Sequence, residues 1–233
     1  GGALYMEEMA WQQYGQRLRG DQVRLYGYRP TSFIHTDLKV VFREGCRAFE
    51  LPESLRNRRS HHLENCLAAY ALCADKGIEG EEFIAAWRSF KKPPHRVEFI
   101  AEYQQVKYYD DSKGTNIDAV IRAVESLDGP LILIAGGVDK GAPYLPWLEG
   151  FKNKVKWICA IGEAAGKIRD QLTPHIPVEI FPSLVEAVKQ ASLIANRGDS
   201  VLLSPGCASF DMFKDYAHRG ETFQQIVREL EPV

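Results

Sequence analysis

Hydrophobic positions along this chain follow two rhythms, and the change falls near residue 93. Between residues 23 and 51, apolar and polar side chains alternate through Val23-Arg24-Leu25-Tyr26, Ser32-Phe33-Ile34-His35 and Lys39-Val40-Val41-Phe42. Arg29-Pro30 and Glu44-Gly45 supply turn chemistry between these runs, so the pattern predicts a small antiparallel meander. Residues 1–20 read as helical, although they open on Gly-Gly-Ala, as expected of a chain cut inside a domain. Leu67, Tyr70, Ala71 and Ala74 share one helical face, which predicts a helix over 65–76 ended by Gly77. A second helix is expected over 81–90. Lys91-Lys92-Pro93-Pro94 then forces an extended break, because a residue before proline avoids the helical region. The expected domains are therefore residues 1–93 and 94–233.

Beyond the break, strand and helix patterns alternate. A hairpin is expected from 97–100 and 106–109, then a helix over 116–127. Apolar strands are expected at 131–135, 155–161, 178–181 and 200–203, with helices at 163–172 and 184–196 and one last helix. Unbroken apolar strands separated by helices predict an α/β fold with a doubly wound, mostly parallel, Rossmann-like sheet covered on both faces. Right-handed crossovers then bring the strand ends and their loops to one edge.

Composition narrows the function. The chain has 233 residues, 45% hydrophobic and 26% charged, with a formal net charge of -2. That balance gives no basic field for nucleic acid. No apolar run is long enough to cross a bilayer, and the N-terminus has no signal pattern. The five cysteines are odd in number and show no CxxC or metal-ligand spacing, so they read as reduced thiols of a cytoplasmic protein. The expected state is a monomer.

Candidate chemistry sits where strands meet helices. In 202–213 a buried strand runs through Ser204-Pro205-Gly206-Cys207-Ala208-Ser209 toward the last helix. Ligands bind at such carboxyl ends of strands, and a polar loop there can hold a carboxylate or phosphate with backbone donors, Ser209 and Arg219. An ordinary strand–turn–helix with a Ser/Asp cap fits the same spacing. In Asp111-Ser112-Lys113-Gly114-Thr115-Asn116, Ser112 or Thr115 can cap the following helix. There Asp111 can accept from a sugar diol, and Lys113 offers a point charge for an anion. A solvated N-cap loop is the plainer alternative. Gly136-Gly137-Val138-Asp139-Lys140-Gly141 follows an apolar strand, where glycines let a backbone approach a ligand closely. No GxxxxGK[ST] or GxGxxG pattern occurs, so neither a P-loop nor a dinucleotide fingerprint is present. Asn65 can pair with an adenine edge, and Arg96 can grip phosphate oxygens. By itself Arg96 also fits a surface site near a linker, and His95 a satisfied structural histidine.

The run Leu202-Leu203-Ser204-Pro205-Gly206-Cys207-Ala208-Ser209-Phe210-Asp211-Met212-Phe213, with Tyr216, Arg219-Gly220 and Phe223 after it, resembles the C-terminal signature of the Mur ligases. Three upstream segments agree in order: Ser60-His61-His62-Leu63-Glu64-Asn65-Cys66-Leu67-Ala68-Ala69, Pro94-His95-Arg96-Val97-Glu98, and Asp110-Asp111-Ser112-Lys113-Gly114-Thr115-Asn116. The resemblance runs from about residue 60 to the end and is loose before that. It implies a central P-loop domain binding ATP and Mg²⁺, and a C-terminal domain that swings over it. In that chemistry ATP phosphorylates the carboxylate of a UDP-linked substrate, and the amine of an amino acid attacks the acyl phosphate. The DSKGTN and SPGCASFDMF segments are similar to those of the member that adds D-glutamate to UDP-N-acetylmuramoyl-L-alanine in peptidoglycan synthesis.

Carried over, the resemblance implies adenine contact by Asn65, nucleotide contact by Arg96, ribose binding by Asp111 and phosphate contact by Lys113. Thr115 and Lys140 would hold the α-carboxylate of D-glutamate. Ser209 and the Phe210 backbone N–H would hold its side-chain carboxylate, with Tyr216, usually phenylalanine in the family, lining the pocket. The family's phosphate-binding loop, Mg²⁺ ligands and carbamoylated lysine lie upstream of anything present, and no lysine precedes Lys39. The expectation is thus a partial α+β remnant of the central ATPase domain followed by the amino-acid-binding domain, inactive alone. No catalytic residue or metal ligand is assigned. Alternatives are another Mur ligase, a folylpolyglutamate synthase, or a non-catalytic amino-acid or nucleotide-binding module.

Overall fold

The computed structural model describes residues 3–15, 23–57 and 59–230. The chain divides into two compact units between Lys91 and Lys92.

The first unit holds a five-stranded sheet in the order β1-β2-β3-β4-β5. Its strands are β1 (Leu4–Glu7), β2 (Val23–Gly27), β3 (Ile34–Thr36), β4 (Val40–Arg43) and β5 (Cys46–Glu50). The helix expected over 1–20 is corrected: residues 4–7 form β1, and α1 (Glu8–Tyr14) follows, capped by the Glu7 carboxylate. Residues 16–20 lie outside the described residues. The meander is also corrected. Only β3, β4 and β5 pair antiparallel; β2 runs parallel to both β1 and β3. A helical crossover between β1 and β2 returns the chain in the same direction, which alternation within a strand cannot reveal. The Glu44-Gly45 turn does form, with both residues at positive φ between β4 and β5, as a two-residue hairpin requires. Helix α2 (His61–Ala74) begins earlier than expected because Ser60 Oγ accepts from the Leu63 N–H at 3.2 Å. With α3 (Gly80–Ser89) it covers a core of Ile34, Val41, Phe49, Leu63, Leu67 and Tyr70.

The second unit is a six-stranded sheet in the order β10-β9-β8-β11-β7-β6. Strands β7 (Val106–Asp110), β8 (Leu131–Gly136), β9 (Val155–Ile161), β10 (Val178–Phe181) and β11 (Ser200–Leu203) are parallel. Edge strand β6 (Glu98–Tyr103) returns antiparallel to β7 through a hairpin. One face packs on α4 (Ile117–Ser126), α5 (Pro146–Gly150) and α6 (Ala165–Leu172). The other packs on α7 (Leu184–Ile194) and α8 (Tyr216–Arg228). Leu131, Ile132, Leu133, Ile134 and Ala135 are all fully buried, as a strand covered on both faces demands. Helix α5, only five residues long, was not expected. The cap of α4 is also corrected: Asn116 Oδ1, not Ser112 or Thr115, accepts from the Ala119 N–H at 2.8 Å. Ser112 is drawn instead into the sheet rim.

Candidate ligand-binding rim

Because β7, β8, β9 and β11 are parallel, their carboxyl ends and the loops 111–116, 137–145, 162–164 and 204–215 share one rim of the second unit. The 204–215 loop is tied to three neighbours. The Gly206 N–H donates to Gly114 O at 2.8 Å, joining it to the loop after β7. The Gly136 and Val138 N–H groups donate to Pro205 O and Ala208 O, both at 2.9 Å, joining it to β8. Asp211 Oδ2 accepts from the Glu163 N–H at 3.0 Å, joining it to the loop after β9.

Gly136 and Gly137 adopt positive φ, where an added Cβ would lie 2.0 Å from Ile161 O and 2.2 Å from Ala208 O respectively. The close approach read from these glycines is therefore made by the protein's own backbone.

Arg219 ties the same loops from inside. Its Nε donates to Ser112 Oγ and one terminal nitrogen to Ser112 O, both at 2.9 Å, while the guanidinium also reaches Cys207 O. Only 1% of Arg219 is exposed, so its donors serve the loops, and the reading of it as a ligand donor is corrected. Burial pulls its pKa down to about 10, against the charges of Cys207 and of nearby aspartates. Ser112 Oγ passes the link on, donating to Tyr216 O at 2.7 Å.

Asp110 and Asp111 stand at the end of β7 with different partners. Asp110 Oδ2 pairs with His95 Nδ1 at 2.7 Å and accepts from Gln224 Nε2 at 2.8 Å, while Oδ1 accepts from the Ser112 N–H. His95 is thus a satisfied structural histidine. Asp111 Oδ2 accepts from Ser204 Oγ at 2.6 Å. Burial pushes the Asp111 carboxyl up to about 6, opposed by the Ser204 and Val97 hydrogen bonds and reinforced by the charge of Asp110.

The rim brings together most of the residues read from the sequence. Lys140 Nζ donates to Thr115 O at 2.7 Å. Lys113 Nζ lies 3.7 Å from the centroid of the Tyr216 ring. Ser209 is 2% exposed, whereas the neighbouring Phe210 side chain is 74% exposed. Arg96 is exposed ahead of β6, and Asn65 is exposed on α2 of the first unit. Two cationic side chains, backbone donors and a buried hydroxyl on one rim suit a small molecule carrying two negative groups. Reading the sequence missed Asp110 and Gln224, because their pairing joins β7 to α8, 114 residues apart, and no local spacing signals it.

His95, Glu98 and Asp110 form the one group of metal-ligand spacing among the described residues. Glu98 Oε2 accepts from the His95 backbone N–H at 2.9 Å, so these atoms are engaged with one another. Mg²⁺ asks for octahedral oxygen ligands, which this cluster does not fit.

The chain belongs to the Mur ligase family: residues 95–207 match the family model described as Mur ligase, glutamate ligase domain. Among individual proteins, it is 54% identical over 229 residues to UDP-N-acetylmuramoylalanine--D-glutamate ligase of Protochlamydia amoebophila, covering 98% of this chain and 51% of that protein. It is 44% identical over 174 residues to the enzyme of the same name from Caldanaerobacter subterraneus, covering 73% of this chain and 39% of that one. The chain thus spans about half the length, or less, of the curated relatives it matches. A pseudomurein peptide ligase type C from Methanothermus fervidus shares the fold at 13% identity and a TM-score of 0.70, over 98% of this chain and 57% of that one.

Proposed function

We propose that this chain carries the amino-acid-binding domain, and part of the ATPase domain, of an ATP-dependent ligase that joins D-glutamate to UDP-N-acetylmuramoyl-L-alanine. The observation that carries this reading is that the 111–116 and 204–210 loops are bonded to each other on one rim, Gly206 N–H to Gly114 O at 2.8 Å. The names of the relatives at 54% and 44% identity supply the substrate pair.

On this reading Thr115 and Lys140 take the α-carboxylate, and Ser209 and the Phe210 N–H take the side-chain carboxylate, with Tyr216 lining the pocket. Asp111 and Lys113 in the second unit contact the ribose and phosphates of ATP. Arg96 there contacts the nucleotide as well. Bound ATP supplies the phosphoryl group that activates the acceptor carboxylate, while these residues orient the amine and hold its carboxylates. Mg²⁺ accompanies ATP in the whole ligase, and no residue of this chain is assigned to it. The setting is cytoplasmic and the protein a monomer, with no membrane or nucleic-acid partner. Among the described residues no helix is long and apolar enough to cross a membrane.

Calorimetric titration of the chain with D- and L-glutamate tests this reading. D-selective binding is expected, weakened about tenfold or more by Ser209→Ala and by Lys140→Ala, the scale of a lost charge-assisted hydrogen bond. Equal response to the two enantiomers would overturn the D-glutamate assignment.

A further inference from the structure

Building on the anion-binding reading of this rim, we propose that Tyr216 is the positioning residue for Lys113: its ring holds the ammonium at the rim without neutralising it. The Lys113 Nζ to ring-centroid distance of 3.7 Å lies well inside the range over which an aromatic face attracts a cation. A carboxylate would also hold the lysine, but it would cancel the charge that an incoming anion needs. None of the ion pairs among the described residues involves Lys113. The ring face carries no net charge, so it localises the ammonium without pairing it with an opposite charge.

Both partners are anchored through their backbones. Tyr216 opens α8, and its carbonyl accepts from Ser112 Oγ at 2.7 Å. The His95 ring meets Tyr216 edge-on at 6.1 Å between centroids. The Lys113 N–H donates to His95 O at 3.1 Å. What remains free is the long lysine side chain, and the ring confines it before any ligand arrives. Ordering such a side chain in advance lowers the cost of binding. The hydroxyl takes no part in this, so the ring alone is the functional group.

The test combines NMR with titration on the full chain. A lysine ε-methylene signal shifted upfield by the ring is expected, assigned by its loss in Lys113→Ala. In Tyr216→Leu that signal should return to the position of a solvated lysine, and affinity for inorganic phosphate, the anion assigned to Lys113, should fall about two- to five-fold. Tyr216→Phe, which keeps the ring, should rescue both readouts. Unchanged α8 amide shifts in Tyr216→Leu would show that the helix start is intact. A methylene signal that stays put in Tyr216→Leu, or one that moves while affinity holds, overturns the proposal. Should the wild-type chain ignore inorganic phosphate, the proposal is overturned; a chain that binds phosphate but ignores D-glutamate loses only the D-glutamate reading.

Discussion

Gly220 lies inside α8, where glycine is ordinarily less favourable than alanine by up to about 1 kcal/mol. An added Cβ there would stand 2.2 Å from His95 Nδ1 and 2.8 Å from Asp110 Oδ2. The glycine is what lets the buried His95–Asp110 pair approach the helix. Gly220→Ala should therefore destabilise the second unit by about 1–3 kcal/mol despite the gain in helix propensity, seen as a lower midpoint in thermal or urea unfolding. A neutral or stabilising result would show that this packing is looser than described.

Asp111 makes a second prediction at the same scale. Its carboxyl is raised by burial from 3.8 to about 6, so between those values the folded chain holds a proton that the unfolded chain has lost. The contribution is fully present below pH 3.8 and is lost as pH rises through 6, by at most ~3 kcal/mol. Asp111→Asn keeps an acceptor for Ser204 Oγ and removes the titration. Its stability should fall less steeply than that of wild type between pH 4 and 6, and parallel curves would contradict this origin of the shift.

At the scale of elements, the β6–β7 hairpin turns on Gln104 and Gln105, both at positive φ. Two-residue turns of this hand favour Asn-Gly, because glycine reaches positive φ without a steric cost. The double change Gln104→Asn and Gln105→Gly should raise stability by about 0.5–1 kcal/mol, measured by denaturant unfolding. The sequence revealed this hairpin through its flanking apolar runs, not through its turn residues. Strands β8, β9, β10 and β11 were legible for a related reason: full burial leaves a continuous apolar run, and such runs do not depend on distant partners. β1 escaped because its four residues resemble the start of the adjoining helix and owe their pairing to β2, across α1. The Asn116 cap escaped because Ser112 and Thr115 are equally plausible acceptors until Ser112 is seen to serve Arg219 and Tyr216.

Across the whole molecule, each unit has its own core, and the second contains every rim loop. Residues 92–233 should therefore fold alone, with dispersed amide spectra and cooperative melting. The rim was legible from the sequence because parallel topology places strand ends together whatever the loops contain. Its inner bracing was not, since Arg219 to Ser112 spans 107 residues and neither partner advertises the other.

The 111–116 and 204–210 loops are proposed to act together on one small dicarboxylic amino acid. Amide shift mapping of the full chain with D-glutamate tests it most directly. The expected result is that residues of both loops move together along one saturation curve, with L-glutamate leaving them nearly unmoved. Movement of one loop only, or separate curves for the two, would contradict a shared pocket.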